Sequence, residues 1–189
     1  MIAYLKKEFN FSNYQIAQLK YFFLTLLSEG SKLVIMAFFF HEKLGIFFYC
    51  IAVLSSLRLS TGGIHCNTYI GCFLTTFFFV FISLWVTSLI SLSTLSAIAI
   101  LMLCAIFNYV IGPVSSSQHL PLSISAKKRV TWQAVAIISL HIFLLYNFNS
   151  FYLFHIGTWV IILHTLQLII ANFIKKGGKK DESFKDSVI

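Results

Sequence analysis

Residues 70–92 read IGCFLTTFFFVFISLWVTSLISL, 23 residues without a charged side chain. As an α-helix this stretch is about 35 Å long at 1.5 Å per residue, enough to cross a hydrocarbon core about 30 Å thick. Its polar members are Ser, Thr and Cys, whose side chains can bond back to carbonyls of their own helix. A helix lying on a soluble core needs a charged or polar face, and this one has none. It is a membrane span, and the rest of the chain has to be read on the same terms.

Working outward, five more apolar runs are long enough to be embedded: residues 21–40, 44–57, 95–111, 130–146 and 151–174. Composition agrees. Apolar residues make up 58% of the chain, charged residues 11%, and mean hydropathy is +0.86. Soluble domains carry about 25% charge, so 189 residues with this composition cannot cover a water-facing surface. The expected fold is all-α, a polytopic membrane helix bundle of about six embedded helices. It is preceded by an amphipathic N-terminal stretch, MIAYLKKEFNFSNYQIAQLK, which lacks the compact apolar core of a signal peptide. Residues 1–174 form one membrane-embedded domain in this reading, and 175–189 (KKGGKKDESFKDSVI) a flexible basic tail. Glu29 and Lys32 stand three apart in the first run, where pairing would lower the cost of placing them near lipid.

Charge is arranged by topology. No Asp or Glu occurs between Glu42 and Asp181, and between Lys43 and Lys127 the only charged residue is Arg58. Basic residues gather at alternate connections: Lys6, Lys7 and Lys20; Arg58; Lys127, Lys128 and Arg129; and Lys175, Lys176, Lys179 and Lys180. Six spans with both termini in the cytoplasm put every cluster inside. The net charge of +8 therefore points to anionic lipid or an acidic partner and not to nucleic acid.

The segment between the second and third spans breaks the pattern. Residues 58–72 read RLSTGGIHCNTYIGC, with a cation, adjacent glycines, a histidine and two thiols. Polar groups kept at membrane depth usually face a cavity with a function. A thiol attacks carbonyls as thiolate, and a neighbouring imidazole can take its proton and later return one to the leaving amine. His65 and Cys72 are the pair with that potential. On a regular helix they would stand roughly 10 Å apart, so the chemistry requires the chain at His65 to fold back over the helix bearing Cys72. Gly62, Gly63 and Gly71 permit such a bend. Cys66 is a rival nucleophile whose side chain, adjacent to His65, points away from it in regular structure. Cys50 and Cys104 read as apolar packing residues, and no C-x-x-C spacing occurs.

Arg58, Gly62-Gly63-x-His65 and Cys72 in this order resemble the accessory gene regulator protein B (AgrB) family of bacterial membrane endopeptidases, which process quorum-sensing propeptides. Chain length, the six apolar segments, the amphipathic start and the Gly112-Pro113 loop before Lys127-Lys128-Arg129 are similar too. The resemblance implies Cys72 as nucleophile and His65 as its base, with Arg58 and Gly63 needed for activity. It also implies a substrate-handling role for the loop at 113–129. No carboxylate is near enough in sequence to orient His65, which leaves Asn67, Ser60, Thr68 or a backbone carbonyl for that task. The implied partner is a short propeptide with an amphipathic leader and an acidic tail. The tail is cut off through an acyl-enzyme, and a Cys or Ser of the peptide then captures the acyl group as a thiolactone or lactone. Lys127, Lys128 and Arg129 would attract that tail, and a homodimer is compatible with the family.

Other constellations weigh less. His41-Glu42 lacks the second histidine of a zinc motif. His141, His155 and His164 read as groups that hydrogen-bond across helices, not as metal ligands. Neither a metal nor a cofactor is expected. The rival class is a small transporter or channel-like protein, but that class tends to show paired broken helices in two halves, and this chain has one break.

Overall fold

The structure, a computed structural model, describes residues 12–63, 68–90, 92–114, 123–148 and 152–186, without the side chains of Asn13, Thr25, Ser88 and those beyond 174. It is all helical, and among the described residues there are six long helices: α1 (Asn13–Phe39), α2 (Leu44–Thr61), α3 (Tyr69–Leu89), α4 (Thr94–Ile111), α5 (Ile124–Asn147) and α6 (Tyr152–Asp186). Among the described residues the only β-type pairing is an isolated bridge between Gly62 and Val114. Each helix contains a segment long and apolar enough to cross a membrane. Apolar side chains such as Phe38, Leu59, Leu95 and Val110 stand more than 70% exposed, a surface that water would not tolerate and lipid would. The chain is a multi-pass membrane protein.

The chain divides into two compact units, 1–44 and 45–189. The first is essentially α1. Ser12 caps it by accepting from the Gln15 backbone N–H at 3.2 Å, while Gln15 Oε1 accepts from the Ser12 N–H at 2.9 Å. This reciprocal pair fixes where the helix starts. The ion pair expected between Glu29 and Lys32 is present at 2.6 Å. The amphipathic residues 1–11 lie outside the described residues.

In the second unit, α6 is the central helix. Half of its apolar window is buried, against a third or less in the others. It packs on α3, α4 and α5, and α4 packs on α5. The core joins Leu57 of α2, Ala97, Leu101 and Cys104 of α4, Ile138 and Leu145 of α5, and Ile161 of α6. Lipid tails are as apolar as these side chains, so close packing and interhelical hydrogen bonds, worth about 0.6 kcal/mol each on average, carry the association.

Two boundaries depart from the sequence reading. Ser123 caps α5, its hydroxyl accepting from the Ala126 N–H at 3.2 Å. The helix therefore begins at Ile124, six residues before the apolar run. Lys127, Lys128 and Arg129, expected in a loop, lie exposed on the first turns of α5. Hydrophobicity marks where a helix enters lipid, whereas a cap marks where it begins. At the other end α6 continues as helix through residues 175–186 of the expected tail.

Candidate functional site

The site starts where α2 ends. The Gly62 N–H closes the last turn on the Arg58 carbonyl at 2.9 Å, and the chain then turns at Gly62 with φ +74°. A Cβ at Gly62 would lie 2.5 Å from the Val114 carbonyl oxygen, closer than any side chain tolerates, so the close approach selects glycine. The Val114 N–H donates to the Thr61 carbonyl at 2.9 Å. The start of the loop after α4 is thus pinned to the end of α2, beside the glycine pair. Gly112, at φ +66°, turns the chain out of α4 toward this contact.

Across from the turn, α3 begins. Thr68 caps it, its hydroxyl accepting from the Gly71 N–H at 3.1 Å, while its carbonyl accepts from the Cys72 N–H at 3.1 Å. Cys72 therefore sits in the first turn, a free and half-buried thiol. Its carbonyl accepts from Thr76 Oγ1 at 3.0 Å, and Thr76 Oγ1 in turn accepts from Arg58 Nη1 at 3.2 Å. Arg58 thus reaches from α2 to the turn of α3 that follows Cys72. Its other arm, Nη2, donates to Gln167 Oε1 of α6 at 3.4 Å, and the guanidinium lies 5.8 Å over the Phe79 ring. One side chain ties three helices together.

A polar layer continues from there into the bundle. Thr61 Oγ1 donates to the Leu57 carbonyl at 2.9 Å, so at 2.8 Å it accepts from Nε2–H of His164. The Asn108 amide donates to Thr165 Oγ1 at 2.9 Å and to the Cys104 carbonyl at 2.8 Å. Buried atoms in this layer that have no hydrogen-bond partner among the described residues include His164 Nδ1, Asn108 Oδ1 and Gln167 Nε2.

Of the residues singled out from sequence, Arg58 is linked through Thr76 to the backbone carbonyl of Cys72, and Gly63 lies against the Gln167 amide, to which a Cβ there would come within 3.8 Å. Lys127, Lys128 and Arg129 are solvent-facing on α5. His65, Cys66 and Asn67 lie outside the described residues. Ser60 bonds back to the Ser56 carbonyl at 3.1 Å, and Thr68 serves as the α3 cap. Cys50 and Cys104 are buried packing thiols, as read from sequence. His141 and His164 do bond across helices, His141 to Tyr49 at 3.2 Å and to the Phe154 carbonyl at 3.1 Å. The sequence reading missed Thr76, Thr61 and Gln167; the signal for Gln167 was its place beside His164 and Thr165 in an otherwise apolar span.

The family model Accessory gene regulator B matches residues 1–168. The chain belongs to the AgrB family. An AgrB-like protein of Clostridium beijerinckii is 27% identical over 169 residues, covering 85% of this chain and 80% of that one. No solved structure matches. The interhelical ties of Arg58, through Thr76 and Gln167, therefore describe how an AgrB-family chain arranges the residues around its Cys72 position.

Proposed function

We propose that this AgrB-family protein is a membrane cysteine endopeptidase that removes the acidic tail of a short quorum-sensing propeptide. The observation that carries the reading is Cys72, a free, half-buried thiol in the first turn of α3, one turn from the Thr76–Arg58 bond and close in sequence to the Gly62-Gly63 turn. His65 takes the thiol proton. The Cys72 sulfur attacks the scissile carbonyl carbon, forming a C–S bond and moving the carbonyl π pair onto oxygen. Collapse breaks the C–N bond, and the departing amine takes the proton from His65. The resulting thioester is then attacked by a Cys or Ser side chain of the same peptide, whose proton His65 takes; the C–S bond to Cys72 breaks as the thiolactone or lactone ring closes, and the Cys72 sulfur recovers the proton from His65. Exclusion of water by the bundle favours capture by this tethered nucleophile over hydrolysis.

Arg58 and Gly63 hold the site, and Asn67 is the first candidate to orient His65. Lys127, Lys128 and Arg129 draw in the acidic tail. Basic clusters at alternate connections support a cytoplasmic position for the site and both termini in the bacterial membrane. The partners are the propeptide, anionic lipid and, for the assembly, a second copy of the chain; no cofactor or metal takes part.

The test is co-expression with a short propeptide encoded beside the gene, one with an amphipathic start, a central Cys or Ser and an acidic tail, with cleavage read by mass. Cys72→Ala, Cys72→Ser and His65→Ala should each abolish cleavage while the protein stays in the membrane. Full activity in Cys72→Ala would end the reading.

A further inference from the structure

Gln167 lies on the central helix α6 and is 8% exposed. Its amide has a fixed sense: a guanidinium can only donate, so the atom facing Arg58 Nη2 at 3.4 Å is Oε1. That leaves Nε2, with its N–H donors, buried and without a partner among the described residues. A buried donor left without an acceptor is costly and is seldom retained without a role. Two contacts tie it to the segments on either side of Cys72. The amide lies against Gly63, where a Cβ would come 3.9 Å from Nε2. The guanidinium that orients it also holds Thr76, one turn from Cys72 on α3.

We propose that Gln167 Nε2 donates a hydrogen bond to the carbonyl oxygen of the scissile peptide bond, which makes it a catalytic residue; the proposal rests on the peptidase reading of Cys72. Attack by the Cys72 sulfur turns that oxygen from a weak acceptor into an oxyanion. A buried donor whose amide is held by Arg58 would strengthen its bond to that oxygen as the transition state forms. Among the described residues this donor has no acceptor, and the scissile carbonyl would supply one. Gly63 is then the residue that lets the peptide backbone come close, since any side chain there would occupy the space against the amide.

The experiment uses the full chain in detergent and two probes that react at the same sulfur. p-Nitrophenyl acetate acylates Cys72 through a tetrahedral oxyanion, whereas iodoacetamide alkylates it by direct displacement without one. Both are read as mass gain on the peptide bearing Cys72. Gln167→Met should slow acylation by about 100-fold, as loss of one oxyanion donor does elsewhere, and leave alkylation within about twofold. Gln167→Glu, which keeps an oxygen for Arg58 but removes the donor, should behave the same way and serves if Gln167→Met fails to accumulate. Unchanged acylation overturns the proposal, and so does an equal fall in both reactions, which would mean that Gln167 only supports the fold. Propeptide cleavage that persists in Cys72→Ala would instead remove the peptidase reading.

Discussion

Arg58 and Gln167 meet between the second and sixth helices, guanidinium to amide at 3.4 Å, while the same guanidinium holds Thr76 of the third at 3.2 Å. These are separate acceptors on separate helices, and only a forked donor can span them. Lysine carries its donors on one nitrogen and cannot reproduce the fork. Arg58→Lys should therefore cut propeptide cleavage by at least about tenfold, a loss of about 1.4 kcal/mol, with membrane levels close to those of the parent. Mass spectrometry of the co-expressed propeptide, normalised to immunoblotted protein, reads this directly. Near-parental cleavage by Arg58→Lys would mean that a positive charge suffices and the fork is incidental.

The two adjacent glycines should separate by mechanism. At Gly62 an added Cβ meets the Val114 carbonyl oxygen at 2.5 Å with φ at +74°. Gly62→Ala strains the backbone, at about 1–3 kcal/mol, and pushes the 113–114 segment off the end of α2. At Gly63 the nearest neighbours are atoms of the Gln167 amide at 3.8–3.9 Å, an ordinary contact, and only the φ of +157° disfavours a side chain. Gly62→Ala should lower the thermal midpoint in detergent by several degrees more than Gly63→Ala. Equal shifts would show that the close approach of Val114 does not govern this turn.

How much of this was readable in advance follows from what kind of information each feature carries. The spans were legible because runs such as residues 70–92 hold no charge, and lipid leaves a chain few alternatives to helix. Arg58, Gly63 and Cys72 stood out as polar or special residues in a short interval. Thr76 and Gln167 did not, because what matters about them is a contact with Arg58 across 18 and 109 residues. Helical periodicity says which face a residue shares with its neighbours, not which helix lies opposite. The start of α5 was misplaced for a different reason: Ser123 and the basic turn after it are polar, and polarity near a membrane edge reads equally as loop or as solvated helix.

The basic turn of α5 gives a prediction tied to salt. Lys127, Lys128 and Arg129 are exposed, so the attraction for an acidic peptide tail proposed for them would be screened, with a Debye length of about 10 Å at 0.1 M and about 3 Å at 1 M. Replacing all three by Gln should slow cleavage severalfold at low salt and make little difference at high salt. A propeptide whose tail carboxylates are replaced by amides should be insensitive to the same change. Slowing that persists at high salt with the neutral tail would assign the cluster to topology alone.

A second polar network, away from Cys72, tests whether glycine governs helix approach in this bundle. Tyr49 near the start of α2 donates to His141 Nδ1 at 3.2 Å, and His141 Nε2–H donates to the Phe154 carbonyl of α6 at 3.1 Å. Gly157 is what lets these side chains come so near α6: a Cβ there would collide with His141 Cε1 and lie 2.8 Å from the Tyr49 hydroxyl. Tyr49→Phe removes one hydrogen bond, about 0.6 kcal/mol. Gly157→Ala forces three helices to shift, and overpacking of this kind costs about 1–3 kcal/mol, so its thermal midpoint should fall further than that of Tyr49→Phe. His141→Ala also destabilises the bundle, yet it removes the atom nearest the new methyl and the side chain that holds the Tyr49 hydroxyl there. The double variant Gly157→Ala/His141→Ala should then be more stable than the sum of the two single losses, a coupling of about 0.5 kcal/mol or more. Strict additivity would mean that Gly157 is not held as glycine by His141, and that the two helices could meet as closely without it.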